Sequence, residues 1–93
     1  MWTRVLRRFR ELVRRQEYVV TLHAWHKSRS ADLMAFDLER LILCGSITAR
    51  QREGESGEWK YAIEGVTPLG VPAATVVKLS STDKLVFITV YRL

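Results

Sequence analysis

Gly45 divides this chain between two hydrophobic periods. Before it, apolar residues recur at i, i+3, i+4 and i+7, the spacing of one helix face; after it they alternate, the spacing of a strand with one buried side. A chain that runs helices first and strands afterwards predicts an α+β domain, its helices packed on one face of an antiparallel sheet. Ninety-three residues, 47% of them hydrophobic, supply one modest core and one domain.

The first helical stretch is "WTRVLRRFRELVRRQ", residues 2–16. Trp2, Val5, Leu6, Phe9, Leu12 and Val13 fall on one face and the arginines on the other. "EYVVTLHA" is rich in β-branched residues and predicts a short extended segment ending near Leu22. Residues 24–30 predict a helical turn. Asp32 is the expected N-cap of a further helix, "LMAFDLERLILC", which Gly45 closes in a left-handed conformation.

Beyond Gly45, "SITARQRE", "EWKYAIEG", "VPAATVVKL" and "KLVFITVYRL" predict four strands, separated by "GESG", "VTPLG" and "SSTD". Turns this short join antiparallel neighbours, so the expected sheet is a four-stranded meander. The last strand is apolar at nearly every position and belongs in the sheet interior.

Charge is unevenly distributed. Six of the 15 Lys/Arg lie in residues 1–15 (Arg4, Arg7, Arg8, Arg10, Arg14, Arg15) against one of the ten acids, Glu11; the remainder balances at nine and nine. The net charge of +5 therefore resides in the first helix, and an anionic partner is expected there, with Arg7, Arg8, Arg14 and Arg15 as RNA contacts. A solvated polar face over the domain's own core is the bland alternative. No apolar run approaches the roughly 20 residues that span a bilayer. A secretory h-region is missing, and the single cysteine, Cys44 among apolar neighbours, suits a small core residue in a reducing compartment. The expectation is a cytoplasmic protein without a membrane partner.

"TLHAWHKSR", residues 21–29, holds both histidines, His23 and His26, with Lys27 and Arg29. Zinc needs at least three protein ligands, and no C-x-x-C or H-E-x-x-H spacing supplies them; Asp32, Asp37 and Cys44 are merely close in sequence. Neither a metal nor another cofactor is expected. Glycine-rich phosphate loops and a G-x-S-x-G elbow are also missing. Metal-independent RNA cleavage asks for less. The 2′-hydroxyl is the nucleophile, and the protein supplies a base, an acid and cations for the charged transition state. Histidine suits either proton transfer near neutral pH. Lys27, Arg29, Lys60 and Arg92 can supply charge, and Tyr61 or Tyr91 can hydrogen-bond or stack on a base. The competing reading of His23 is a buried structural imidazole.

The order of motifs adds a family resemblance. T-x-H-A at Thr21–Ala24 precedes a basic residue four after the histidine, then Asp37-Leu38 in a helix ended by Gly45 and followed by "SI". "KYAIEG", G-x-P at Gly70–Pro72, "VV" and "ITVY" at Ile88–Tyr91 complete it. This resembles a family of small bacterial domains of unknown function grouped with the RelE/ParE-like toxins, whose superfamily shares a fold with metal-independent ribonucleases of the barnase and colicin type. The resemblance covers residues 18–92, with residues 1–17 as a basic helical extension. It implies a RelE-like α+β fold and the toxin of a type II toxin–antitoxin pair. Such a toxin is an endoribonuclease acting on mRNA, ribosome-bound in some relatives, and neutralised by a zinc-finger or helix-turn-helix antitoxin. His23, Tyr61, Thr89 and Tyr91 match family positions. Lys27 stands where arginine is usual, Ala31 where a second arginine is expected, and Ala74-Thr75 where many members carry a histidine. Three readings follow: a ribonuclease with His23, Lys27 and Tyr91 catalytic, an inactive interaction protein that keeps the fold, or an RNA or ribosome binder using the arginine face.

Overall fold

A computed structural model describes residues 2–93. Along the chain run α1 (Thr3–Arg14), β1 (Tyr18–Val20), α2 (Leu22–Ser30), α3 (Ala35–Cys44), β2 (Ser46–Arg52), β3 (Trp59–Val66), β4 (Pro72–Leu79) and β5 (Leu85–Arg92). The fold is α+β, as the change of period at Gly45 predicts. β2 to β5 form the expected antiparallel meander, but the sheet has five strands in the order β1-β5-β4-β3-β2 and is mixed. β1 adds to β5 in parallel, Tyr18 opposite Leu85 and Val20 opposite Phe87. This corrects the four-stranded antiparallel expectation. Three residues are too few to show an alternation, and the partner strand lies at the far end of the chain.

One face of the sheet carries the core. Phe9, Leu12 and Val13 from α1 and Leu38, Leu41 and Ile42 from α3 pack on Tyr61, Ile63, Val77, Leu85, Phe87 and Val90. Phe9 meets Tyr61 edge to face at 5.3 Å between centroids. Phe9 and Leu12 are fully buried, each contributing about 1.5–3 kcal/mol. The arginine-rich helix is thus a wall of the core, where the sequence suggests an extension. Arg10 lies apart from the other arginines: its Nε and Nη2 donate to the carbonyls of Ile42 (2.9 Å) and Gly45 (3.0 Å). It closes the negative end of α3 and satisfies carbonyls that the helix itself cannot.

Three local expectations are revised. Gly45 is extended (φ −84°, ψ −173°), not left-handed; glycine is required because a Cβ would lie 2.3 Å from the Leu41 carbonyl oxygen and 2.6 Å from that of Glu64. Asp32 occupies a left-handed turn (φ 58°). α3 starts later, where the Met34 amide donates to Asp37 Oδ2 at 2.7 Å, so the helix start is closed from its third residue. Cys44 is exposed rather than in the core, since the last turn of α3 turns it outward. The Tyr18 hydroxyl donates to Glu39, tying β1 to α3. Burial first, then that carboxylate, pushes its pKa up to about 12. No helix among the described residues is long and apolar enough to cross a membrane.

Candidate functional site between α2 and β5

Thr21 starts the site. Its hydroxyl accepts the Ala24 amide (3.0 Å), capping α2, and donates to the Ile88 carbonyl (3.1 Å). The Thr21 amide also donates to the Phe87 carbonyl. The chain therefore leaves the sheet edge at Val20, and α2 runs beside the second half of β5 in place of a continued strand. Ala24 and Ser28 face inward, and α2 begins two residues earlier than the sequence predicts.

A bulge decides what β5 presents there. Val77 pairs with Phe87 and Val76 with Thr89, which leaves Ile88 as an extra residue. One inserted residue reverses the alternation. Leu85 and Phe87 face the core before it and Val90 after it, so Thr89 and Tyr91 turn to the opposite face. His23, exposed at the start of α2, meets Thr89 there, Nε2 to Oγ1 at 3.1 Å. Either atom can be the donor, depending on the imidazole tautomer. One turn along α2, Lys27 joins Tyr91 and Arg92 around a groove of about 290 Å³. Arg92 Nε donates to the Ala31 carbonyl at 2.8 Å, closing the C-terminal end of α2 and holding a guanidinium at the groove.

His23, Lys27, Thr89 and Tyr91 thus lie along one edge of the molecule. His26 does not join them: three residues on, it is turned about 60° from His23, away from Lys27. Arg29 lies about 160° round the helix from Lys27. Lys60 pairs with Glu53 at 3.4 Å, and its neighbour Lys78 pairs with Glu58 at 2.8 Å, a hydrogen bond that raises the lysine pKa. Tyr61 is 9% exposed, and its ring packs edge to face on Phe9. It borders a hollow shared with Trp2 and Arg50, away from the α2–β5 groove. Arg7 and Arg14 border Ser46 and Ile47 on β2, at the other edge of the sheet. Arg8 and Arg15 share the Glu11 carboxylate at 3.9 and 2.8 Å.

Family profiles, characterised proteins and solved structures gave no significant match.

Arg92 is absent from the family-matched positions, yet it is the cation held most firmly at the groove. The sequence offers it as one cation among four; topology singles it out, by laying the end of β5 against the end of α2. No group of three His, Cys, Asp or Glu able to hold a metal ion occurs among the described residues. The edge offers one imidazole, two cations and a phenol in contact with solvent, a set able to move a proton and hold a phosphate.

Proposed function

We propose that this protein is a metal-independent endoribonuclease acting on mRNA, the toxin of a type II toxin–antitoxin pair of the RelE/ParE-like kind, held in check by a partner antitoxin. The observation that carries the reading is the convergence of His23 and Lys27 on α2 with Thr89 and Tyr91 from the far end of the chain. These are the residues that the motif order singles out, and they meet through a helix cap and a strand bulge. Arg92 strengthens the reading further. Where the resemblance expects an arginine at position 31, this chain has alanine, and Arg92 reaches the Ala31 carbonyl to bring a guanidinium to the same place.

In the reaction the His23 imidazole takes the proton of the RNA 2′-hydroxyl, and that oxygen attacks the adjacent phosphorus. Lys27 and Arg92 balance the negative charge of the five-coordinate phosphorane. The imidazolium returns its proton to the departing 5′-oxygen, leaving a 2′,3′-cyclic phosphate and a 5′-hydroxyl. Thr89 orients the ring, and Tyr91 positions the strand through its exposed face.

Expression of the wild type in a bacterial host should arrest growth and fragment mRNA. His23→Ala should lose both, with cleavage by purified protein reduced about 10²–10⁴-fold in the presence of EDTA. Equal growth and intact mRNA with both chains would sink the catalytic claim. A second reading, an interaction protein without activity, is favoured by Ala74. It lies opposite Tyr91 on β4, fully buried, with no second imidazole to share the proton transfers. Co-purification with the neighbouring gene product, with RNA left untouched, would select it.

A further inference from the structure

A second groove lies away from His23, between α1 and the edge strand β2. About 640 Å³ in volume, it is bordered by Arg7, Arg10 and Arg14 with Trp2 at one end. On the other side of Trp2 a second hollow of about 500 Å³ is bordered by Arg4, Arg8 and Arg50. The Arg50 guanidinium carbon lies over the Trp59 ring, 4.0 Å from its centroid, and Arg52 approaches the same ring at 5.4 Å. Arg4, Arg7, Arg14, Arg50 and Arg52 have no carboxylate within ion-pair distance among the described residues. The first turn of α1 contains no acidic residue and no side-chain cap, so the positive end of its dipole adds to the same field. Arginine 7, 14, 4 and 8 occur on a helix the sequence already marks as basic. Trp2 stands at the start of that helix, and the hairpin arginines and Trp59 are brought beside it by the fold alone.

We propose that this face binds single-stranded nucleic acid, with Trp2 joining two halves of one continuous track. Charge density decides between a nucleic acid and an acidic peptide. α1 is 12 residues long, about 18 Å. An extended peptide of that length has five or six residues, of which alternate ones, about three, face the surface. A nucleic-acid strand presents up to about five phosphates over the same distance, each of them charged. Three unpaired guanidiniums on α1 and two more on β2 beside it together match the second count. The planar groups fit as well: Trp2, partly buried against the core, Trp59, 36% exposed, and the Arg50 guanidinium over it are surfaces on which unpaired bases stack. The track does not depend on the cleavage reaction, because none of its residues borders the α2–β5 groove.

The test uses a fluorescein-labelled single-stranded deoxyoligonucleotide about eight nucleotides long, which has no 2′-hydroxyl and cannot be cleaved by the proposed route. The full-length chain should bind it with quenching of tryptophan fluorescence. The combined variant Arg4→Gln, Arg7→Gln, Arg50→Gln should weaken binding at least about tenfold and lower the salt slope by about two, the loss of three phosphate contacts. Trp59→Leu should reduce the quenching, and thermal melts establish that each variant is folded. His23→Ala should bind as the wild type does. Unchanged affinity in the arginine variant overturns the proposal. So does loss of binding in His23→Ala, which would put the strand in the other groove. Equal affinity for polyglutamate or for a blunt duplex overturns it as well, by assigning the face to an acidic protein or to double-stranded nucleic acid.

Discussion

A methyl group on residue 45 would meet two backbone carbonyl oxygens, those of Leu41 and Glu64, and neither can swing aside as a flexible side chain would. Gly45→Ala is therefore expected to destabilise the domain by about 2–3 kcal/mol, a fall in Tm on the order of 10 °C or more for a chain of this size. Gly54→Ala, with open space around it, is the control. Matching melts for the two variants would refute the steric account. The sequence marks Gly45 as special for the wrong reason. A glycine after an apolar helix suggests a left-handed cap, whereas close approach to β3 is visible only once the sheet is assembled. His23 and Lys27 are singled out at this scale by the order of motifs alone, and their role is a proposal. The 3.1 Å contact of His23 with Thr89 was not legible, since it spans most of the chain.

α2 is the element on which the proposed chemistry depends, and Thr21 anchors it at both a cap and a strand. Thr21→Val keeps the shape but removes both hydrogen bonds, costing about 1–2 kcal/mol. Amide exchange in α2 should accelerate, and RNA cleavage should fall by more than the loss of folded protein explains. Thr21→Ser should retain both properties. Wild-type cleavage in Thr21→Val would show that this anchor does not position His23. The four strands after Gly45 were readable from alternation, with boundaries within a residue or two of those observed. β1 was readable as extended but not as paired, because three residues carry no period of their own.

At the scale of the molecule, α1 supplies Phe9, Leu12 and Val13 to the core and Arg10 to the end of α3. Removing residues 2–16 should abolish cooperative folding, measured as loss of near-UV circular dichroism and of a sharp thermal transition. A sharp melt in the shortened chain would make α1 the dispensable extension that its sequence suggests. The two faces proposed for nucleic acid lie toward opposite sides of the sheet, the end of β5 beside α2 on one and the edge strand β2 on the other. A strand held by the arginines need not be the segment cut near His23.

The sequence by itself determined the order of helices and strands, the antiparallel meander and most of the apolar residues that become the core. Those are consequences of hydrophobic period and turn composition, which act over a few neighbouring residues. Tertiary structure decided the parallel pairing of β1 with β5, the inversion at Ile88 that turns Thr89 and Tyr91 outward, and the use of Arg10 and Arg92 as helix closures. Each depends on register or contact between distant segments. Until the sheet fixes which residues lie opposite one another, an arginine that closes a helix and one that awaits a phosphate have the same chemistry.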